Sequence, residues 1–272
     1  MKNKLIENRK NHIGPNFSLH YNKPLHLVRS KGLYLYDSKG NKYLDAIGNI
    51  NIVGHCHEHV IKAVHSQLSL LNTNTRYLYN IMEKYSKKLL SYFPKNLSVV
   101  YFVCSGSEAN DLAKRMADNY TNGTEYLVMD NGYFGHTSSL IDLSPYKFKG
   151  KGGKGKKPFV NILDMPEGVR GKYRYSDKDW VEKYIDDAKK LINNIDPKKK
   201  LSAFFTESIL GCGGQIVLPK NYLKEIFKLV RAKGGICVSD EIQTGFGRVG
   251  NRFWAFENHE IIPDICTLGK PM

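Results

Sequence analysis

Cysteine is scarce and scattered. Only five occur in 272 residues, Cys56, Cys104, Cys212, Cys237 and Cys266, and no two are spaced as C-x-x-C. That excludes a disulfide framework and a zinc ribbon and fits free thiols in a reducing compartment. Long apolar runs are missing too: no window approaches the roughly 20 apolar residues that span a bilayer. Met1 to Ile13 is polar and basic, without the apolar stretch of a secretory signal. The expected location is the cytoplasm, with no membrane partner. No repeat at solenoid spacing is present. Acidic residues are few, 26 Asp+Glu against 41 Lys+Arg, for a net charge of +15.

What is there is the composition of a folded chain. Apolar residues make up 41% and charged residues 25%, which argues against disorder. The excess positive charge is local. Residues 1–45 hold nine Lys/Arg against three acids, and residues 147–157 hold six lysines and no acid. The second stretch, interleaved with glycine, reads as a solvated, mobile surface loop. No recognition motif accompanies the charge, so a nucleic-acid partner is not expected.

Along the chain, Gly32–Asp37 and Asn41–Asp45 read as a hairpin about the turn Asp37-Ser-Lys-Gly40. Residues 60–71 and 81–92 have helical spacing, and Pro94 stops the second. Short apolar strands then alternate with amphipathic helices. Strands are predicted at 97–103, 126–129, 201–205, 235–239 and 265–268, and helices at 108–119, 180–192 and 222–233. This alternation predicts an α/β fold with a mainly parallel sheet and helices on both faces. Ligands of such sheets sit beyond the carboxyl ends of the strands.

Four of those ends carry chemistry. After Val103, Cys104-Ser-Gly-Ser-Glu-Ala-Asn110 opens a helix. Gly106 and Ser107 can form a phosphate cup there, and the plainer reading is a capping box from Ser105 to Glu108. After Met129, Asp130-Asn-Gly-Tyr-Phe-Gly-His136 offers a ring to lie over a planar ligand, or simply a turn with two core aromatics. After Ser239, Asp240-Glu-Ile-Gln243 places a carboxylate at a strand end, suited to a cationic ring nitrogen or to capping a helix. After Leu268 comes Gly269-Lys270, an amine that becomes a Schiff-base nucleophile if desolvated and otherwise is a solvated charge. Taken together the four match the needs of pyridoxal phosphate: an amine, an anion for the ring nitrogen, a phosphate cup and a flat wall.

The set resembles the class III (ω-type) aminotransferases among the fold-type I pyridoxal phosphate enzymes. The matching segments are Gly54-His-Cys-His57, Ser105–Asn110, Tyr133-Phe-Gly-His136, Asp240–Arg248 and Gly269-Lys270. Within the family, Ser144-Pro-Tyr-Lys-Phe148, Cys212-Gly-Gly-Gln215 and Gly269–Met272 look most like the ethanolamine-phosphate and phosphohydroxylysine phospho-lyase branch. The resemblance implies a role for each matching residue. Lys270 would join the cofactor as an imine and move the proton at the substrate carbon, while Asp240 would pair with the ring nitrogen. Gln243 would reach the ring oxygen, and Tyr133 and Ile242 would cover the two ring faces. Gly106 and Ser107 would bind the phosphate, and Glu207 would line the substrate side. The substrate would be a small amine, and the full-length protein a homodimer.

The resemblance also implies an N-terminal small-domain segment, residues 1–45, followed by a pyridoxal phosphate-binding large domain, residues 46–272, incomplete at its C-terminal end. Family members continue well past the lysine, whereas this chain stops two residues after it. A chain of this extent is expected to be poorly soluble and to bind the cofactor weakly. Phe134 stands where the family often has histidine, and Glu58 where it usually has proline. His55, His57 and His59 could share a face as metal ligands, but the resemblance accounts for them without metal. Three readings compete with the phospho-lyase: an ω-amine transaminase using a 2-oxo acid, an inactive fragment, and a basic nucleic-acid binder.

Overall fold

The computed structural model describes every residue except Met1, His20, Asn49 and Pro197. The chain divides into two compact units, residues 1–78 and 79–272. The first unit opens with helix α1 (Lys2–His12), followed by three strands, β1 (Leu27–Lys31), β2 (Tyr34–Asp37) and β3 (Lys42–Leu44), in an antiparallel sheet of that order. The hairpin turn forms where the sequence places it. The Asp37 carboxylate accepts from the Lys39 and Asn41 amides at 2.8 and 2.9 Å, which pins the chain reversal. Helix α2 (Glu58–Leu70) closes the unit.

The second unit starts with helix α3 (Asn80–Leu90) and is built on a parallel sheet. After helix α4 (Gly106–Thr121) come strand β4 (Glu125–Met129), the short helices α5 (Ser138–Leu143) and α6 (Pro145–Phe148), and strand β5 (Val160–Leu163). Helix α7 (Trp180–Asn193) leads to β6 (Leu201–Glu207) and the small ribbon β7 (Ile209–Leu210) and β8 (Ile216–Val217). Helix α8 (Tyr222–Ala232), β9 (Ile236–Asp240), a 3₁₀ turn at Ala255–His259 and β10 (Ile265–Thr267) complete it. The sheet order is β10-β9-β6-β4-β5, with every pair parallel.

Strand alternation divides the core in two. Tyr126, Val128, Ala203, Phe205 and Val238 face α4, where Ala113 and Ala117 let the helix lie close. Leu127, Met129, Phe204 and Cys237 point the other way, onto Tyr184 and Ile192 of α7 and Ile226, Phe227 and Val230 of α8. Strands buried on both faces read as continuous apolar runs, which is why β4, β6 and β9 were visible in the sequence. Burying one large side chain in such a layer contributes about 1.5–3 kcal/mol.

One expectation needs correction. Residues 97–103 form no strand: β10 is the edge of the sheet, and no strand pairs with its outer side among the described residues. A ladder needs a neighbour to accept its hydrogen bonds, and without one the apolar run stays open, with Val99 72% and Tyr101 64% exposed. The segment lines a groove of about 580 Å³ together with residues 264–270. The lysine-rich loop lies at the surface, with Lys147, Lys149, Lys151, Lys154 and Lys156 exposed, and a few contacts anchor it. Phe148 is buried, Lys149 pairs with Asp130 at 2.6 Å, and Lys156 Nζ donates to the Val160 carbonyl at 2.9 Å.

Candidate functional site

Parallel register puts Thr267, Asp240 and Glu207 side by side at the carboxyl ends of three adjacent strands. All three are buried and lie on the face that α4 covers. The sequence-predicted residues gather around this row. Lys270 follows β10 by three residues, and its charge favours the ionised form of both carboxyls.

Asp240 does not cap a helix. Its Oδ1 accepts from the Ile242 amide at 2.9 Å and its Oδ2 from Asn110 Nδ2 at 2.7 Å, so each oxygen has one fixed donor. Burial pushes the carboxyl up to about 6, against the pull of Asn110, the Ile242 amide and Lys270. Glu207 is pushed further, to about 8, first by burial and then by the neighbouring Asp240 charge. Gly211 N–H donates to Glu207 Oε2 at 3.0 Å, and the Tyr133 amide approaches Oε1 at 3.5 Å. Two carboxyls so close in a dry row favour having only one of them ionised.

Helix α4 starts beside them. The Ser105 hydroxyl accepts from the Glu108 amide at 3.2 Å, so the capping function belongs to Ser105. Glu108 reaches one residue further back than a capping box requires, taking the Cys104 amide at 2.7 Å. Gly106 and Ser107 occupy the first two helical positions, where the helix supplies no acceptor for their N–H groups. Ile242 is wedged between glycines. A Cβ on Gly106 would lie 2.6 Å from Ile242 Cδ1, and one on Gly269 would lie 2.9 Å from its Cγ2. Gly135, at φ +139°, lets the loop after β4 come down on Ser107, whose Oγ accepts from the His136 amide at 3.3 Å. Tyr133 stands half-buried on this loop, with Tyr146 edge-on at 6.0 Å. Gln243 reaches toward Gly211, where an added Cβ would lie 3.1 Å from its Nε2.

These residues fit pyridoxal phosphate in kind. The glycine-lined cradle against Ile242, the open helix start, a buried carboxylate with lone pairs to spare and an amine just past the neighbouring strand are the donor set it needs. The metal reading finds different partners: His55 Nε2 lies 2.7 Å from Asp45 Oδ2, and its Nδ1 lies 3.1 Å from Asn51 Nδ2. Among the described residues no group of three or more His, Cys, Asp or Glu side chains could hold an ion.

Sequence reasoning passed over Asn110 and Glu241. Asn110 shares the buried stripe of α4 with Ala113 and Ala117, and a lone amide in a stripe of alanines facing a sheet was the available signal. Glu241, fully buried, points away from the site. Its oxygens accept from Ser208 Oγ, Thr244 Oγ1 and the Ala255 and Phe256 amides at 2.8–3.0 Å.

Comparison with known proteins places this arrangement. The Aminotransferase class-III family model matches residues 18–272. The chain is 41% identical over 276 residues to a Drosophila melanogaster protein named alanine–glyoxylate aminotransferase 2-like, covering 100% of this chain and 56% of that protein. It is 37% identical to the Caenorhabditis elegans ethanolamine-phosphate phospho-lyase homolog 1, covering 100% of this chain and 61% of the relative. The solved structure of an Arthrobacter phospholyase in complex with phosphoethanolamine superposes with a TM-score of 0.91 at 33% identity, over 98% of this chain and 63% of that one. The chain thus spans somewhat over half the length of the curated relatives it matches. By this match the chain belongs to the class-III aminotransferase family.

Proposed function

We propose that the protein is a pyridoxal phosphate-dependent phospho-lyase acting on a phosphorylated amino alcohol such as phosphoethanolamine. The observation that carries the cofactor is the meeting, at adjacent strand ends, of Lys270, the buried Asp240 and the Gly106–Ile242 cradle. A phosphorylated substrate is favoured by Lys147. This exposed ammonium stands 5.3 Å from the Tyr133 ring and 5.5 Å from the Tyr146 ring, and its charge, like that of Lys270, reaches the Cys212 thiol. The likeness to the Arthrobacter phospholyase supports the same choice.

When bound, pyridoxal phosphate draws electrons from the carbon that carries the substrate nitrogen. The chain's own residues do the rest. Lys270 holds the cofactor between turnovers and moves the proton at that carbon. Asp240 keeps positive charge on the ring nitrogen, and Gln243 reaches the ring oxygen. Tyr133 and Ile242 cover the two faces, and the Gly106 and Ser107 N–H groups hold the cofactor phosphate. Glu207 lines the substrate side. Lys147 neutralises the substrate phosphate, which raises its quality as a leaving group. With one water the products are inorganic phosphate, ammonia and an aldehyde.

The second reading is amino transfer to a 2-oxo acid, favoured by the aminotransferase name of the 41% identical Drosophila relative. The two separate in one assay. Phosphate release from phosphoethanolamine, with no amino transfer to pyruvate or 2-oxoglutarate, is expected. Steady amino transfer without phosphate release reverses the order. Lys270→Ala should abolish the covalent pyridoxyl adduct trapped by borohydride, and a persisting adduct removes Lys270 from its role. A homodimer belongs to the same proposal, supported by the exposed Val60, Ile61, Val64 and Leu68 on α2. So do a cytoplasmic location and the assignment of residues 1–45 to a small domain and 46–272 to a large one.

A further inference from the structure

Asn110 is fully buried, and every hydrogen-bonding group of its side chain is engaged. Nδ2 donates to Asp240 Oδ2 at 2.7 Å and to the Phe134 carbonyl at 2.9 Å, while Oδ1 accepts from Thr267 Oγ1 at 2.9 Å. The amide cannot turn over. Reversed, it would set its oxygen against a carboxylate and a carbonyl, both of which only accept, and leave the Thr267 hydroxyl facing an N–H group. Its three partners come from three separate stretches of chain: the end of β9, the loop carrying Tyr133, and the strand that leads to Lys270. One side chain on α4 therefore ties the ring-nitrogen acid, the ring cover and the approach to the lysine into a fixed arrangement.

We propose that Asn110 is the positioning residue of this site: its locked amide holds the Asp240 carboxylate ionised and in the one orientation from which it can receive a cationic ring nitrogen. The proposal rests on the pyridoxal phosphate reading above. The surroundings of Asp240 make such a donor necessary. Burial opposes its ionisation, as does Glu241 beside it in sequence, while Asn110, the Ile242 amide and Lys270 favour it. Glu207 on β6, raised by burial and by the Asp240 charge, stays protonated next to it. Tyr133, Cys212 and Cys266 also feel its charge and stay protonated, burial holding all three above their ordinary values. Without the amide, only the Ile242 N–H remains as a direct donor. Asn110→Asp is the most severe change, since it keeps the size and replaces the donor with a second carboxyl.

Two measurements test this. In the cofactor-free protein, the Asp240 carboxyl can be titrated by NMR with ¹³C-labelled aspartate, and its midpoint is expected near 6. In Asn110→Ala the midpoint should rise by about one unit or more, and in Thr267→Val, which only loosens the lock, by less. The second measurement is pyridoxal phosphate affinity from pH 5 to 9. Asn110→Asp should bind about tenfold more weakly at pH 5 and only about twofold more weakly at pH 7, because one unit of midpoint changes the ionised fraction about tenfold below both midpoints and little above them. Thermal unfolding selects the variants that remain folded. An unmoved Asp240 midpoint in folded Asn110→Ala and Thr267→Val overturns the proposal, whatever the cofactor does. A normal carboxyl titration in a wild-type protein that takes up no pyridoxal phosphate overturns the cofactor reading and leaves the Asn110–Asp240 coupling standing.

Discussion

Asp240 and Glu241 are neighbours in sequence and both are buried, yet strand alternation sends them to opposite faces of the sheet end. Glu241 has four donors on its two oxygens, drawn from Ser208, Thr244 and the backbone of the 3₁₀ turn. Asp240 has two, which leaves lone pairs on its oxygens without a donor from the chain. Burial raises both carboxyls. The difference teaches how to tell a carboxylate that holds a fold from one that awaits a ligand. The first has its hydrogen bonds filled by the chain, and the second is oriented but left partly open.

The sharpest way to break this contrast is to remove each acid in turn. Asp240→Ala should lower cofactor-dependent turnover by about 10³ or more, roughly 4 kcal/mol at the barrier. The unfolding temperature should move little, since losing an expensive buried carboxylate offsets the stranding of its two donors, Asn110 Nδ2 and the Ile242 amide. Steady-state rates and thermal denaturation check both halves, and near-normal turnover would mean another group supports the ring nitrogen. Glu241→Ala should do the reverse. It strands two backbone N–H groups and two hydroxyls in the core, a cost of about 3 kcal/mol. That loss should appear as a lower urea midpoint, while the fraction that stays folded keeps turnover within a fewfold of wild type.

The sequence could not make this distinction, although much else was visible in it. The runs that became β4, β6 and β9 are apolar on both sides, and each is followed by the residues that meet at the site. The run at 97–103 is just as apolar, and it failed as a strand because pairing depends on a neighbour that periodicity does not report. Strand β5, with Asn161 in a run of four residues, was too short to notice. The site's chemistry was readable because each group follows its own strand. The links between groups were not: Asn110 and Asp240 are 130 residues apart, and only the fold makes them partners. Glu207 carried no sign that it would share a row with Asp240, because register is set across strands rather than along them.

That shared row gives the smallest predicted effect and the finest test of the comparison. Glu207 lies on the Asp240 side, so it should behave as an under-satisfied acid rather than as a filled one. Its carboxyl is raised from 4.5 to about 8, chiefly by burial and then by Asp240. Between those values the folded chain holds a proton that the unfolded chain has released, so stability falls as the pH rises. The contribution is present below about 4.5 and lost as the pH passes about 8. The nearby His259 works in the opposite sense, because burial lowers it from 6.5, but its contribution levels off above that value. From pH 7 to 8 the slope due to Glu207 should therefore be exposed, at about 1 kcal/mol per pH unit. Glu207→Gln keeps an acceptor for the Gly211 amide and cannot ionise, so its unfolding free energy should stay nearly flat over that unit. Denaturant titrations of both proteins at pH 7 and 8 decide the matter. Parallel losses in the two would place the titrating group elsewhere and put Glu207 with Glu241, among the acids that only hold the fold.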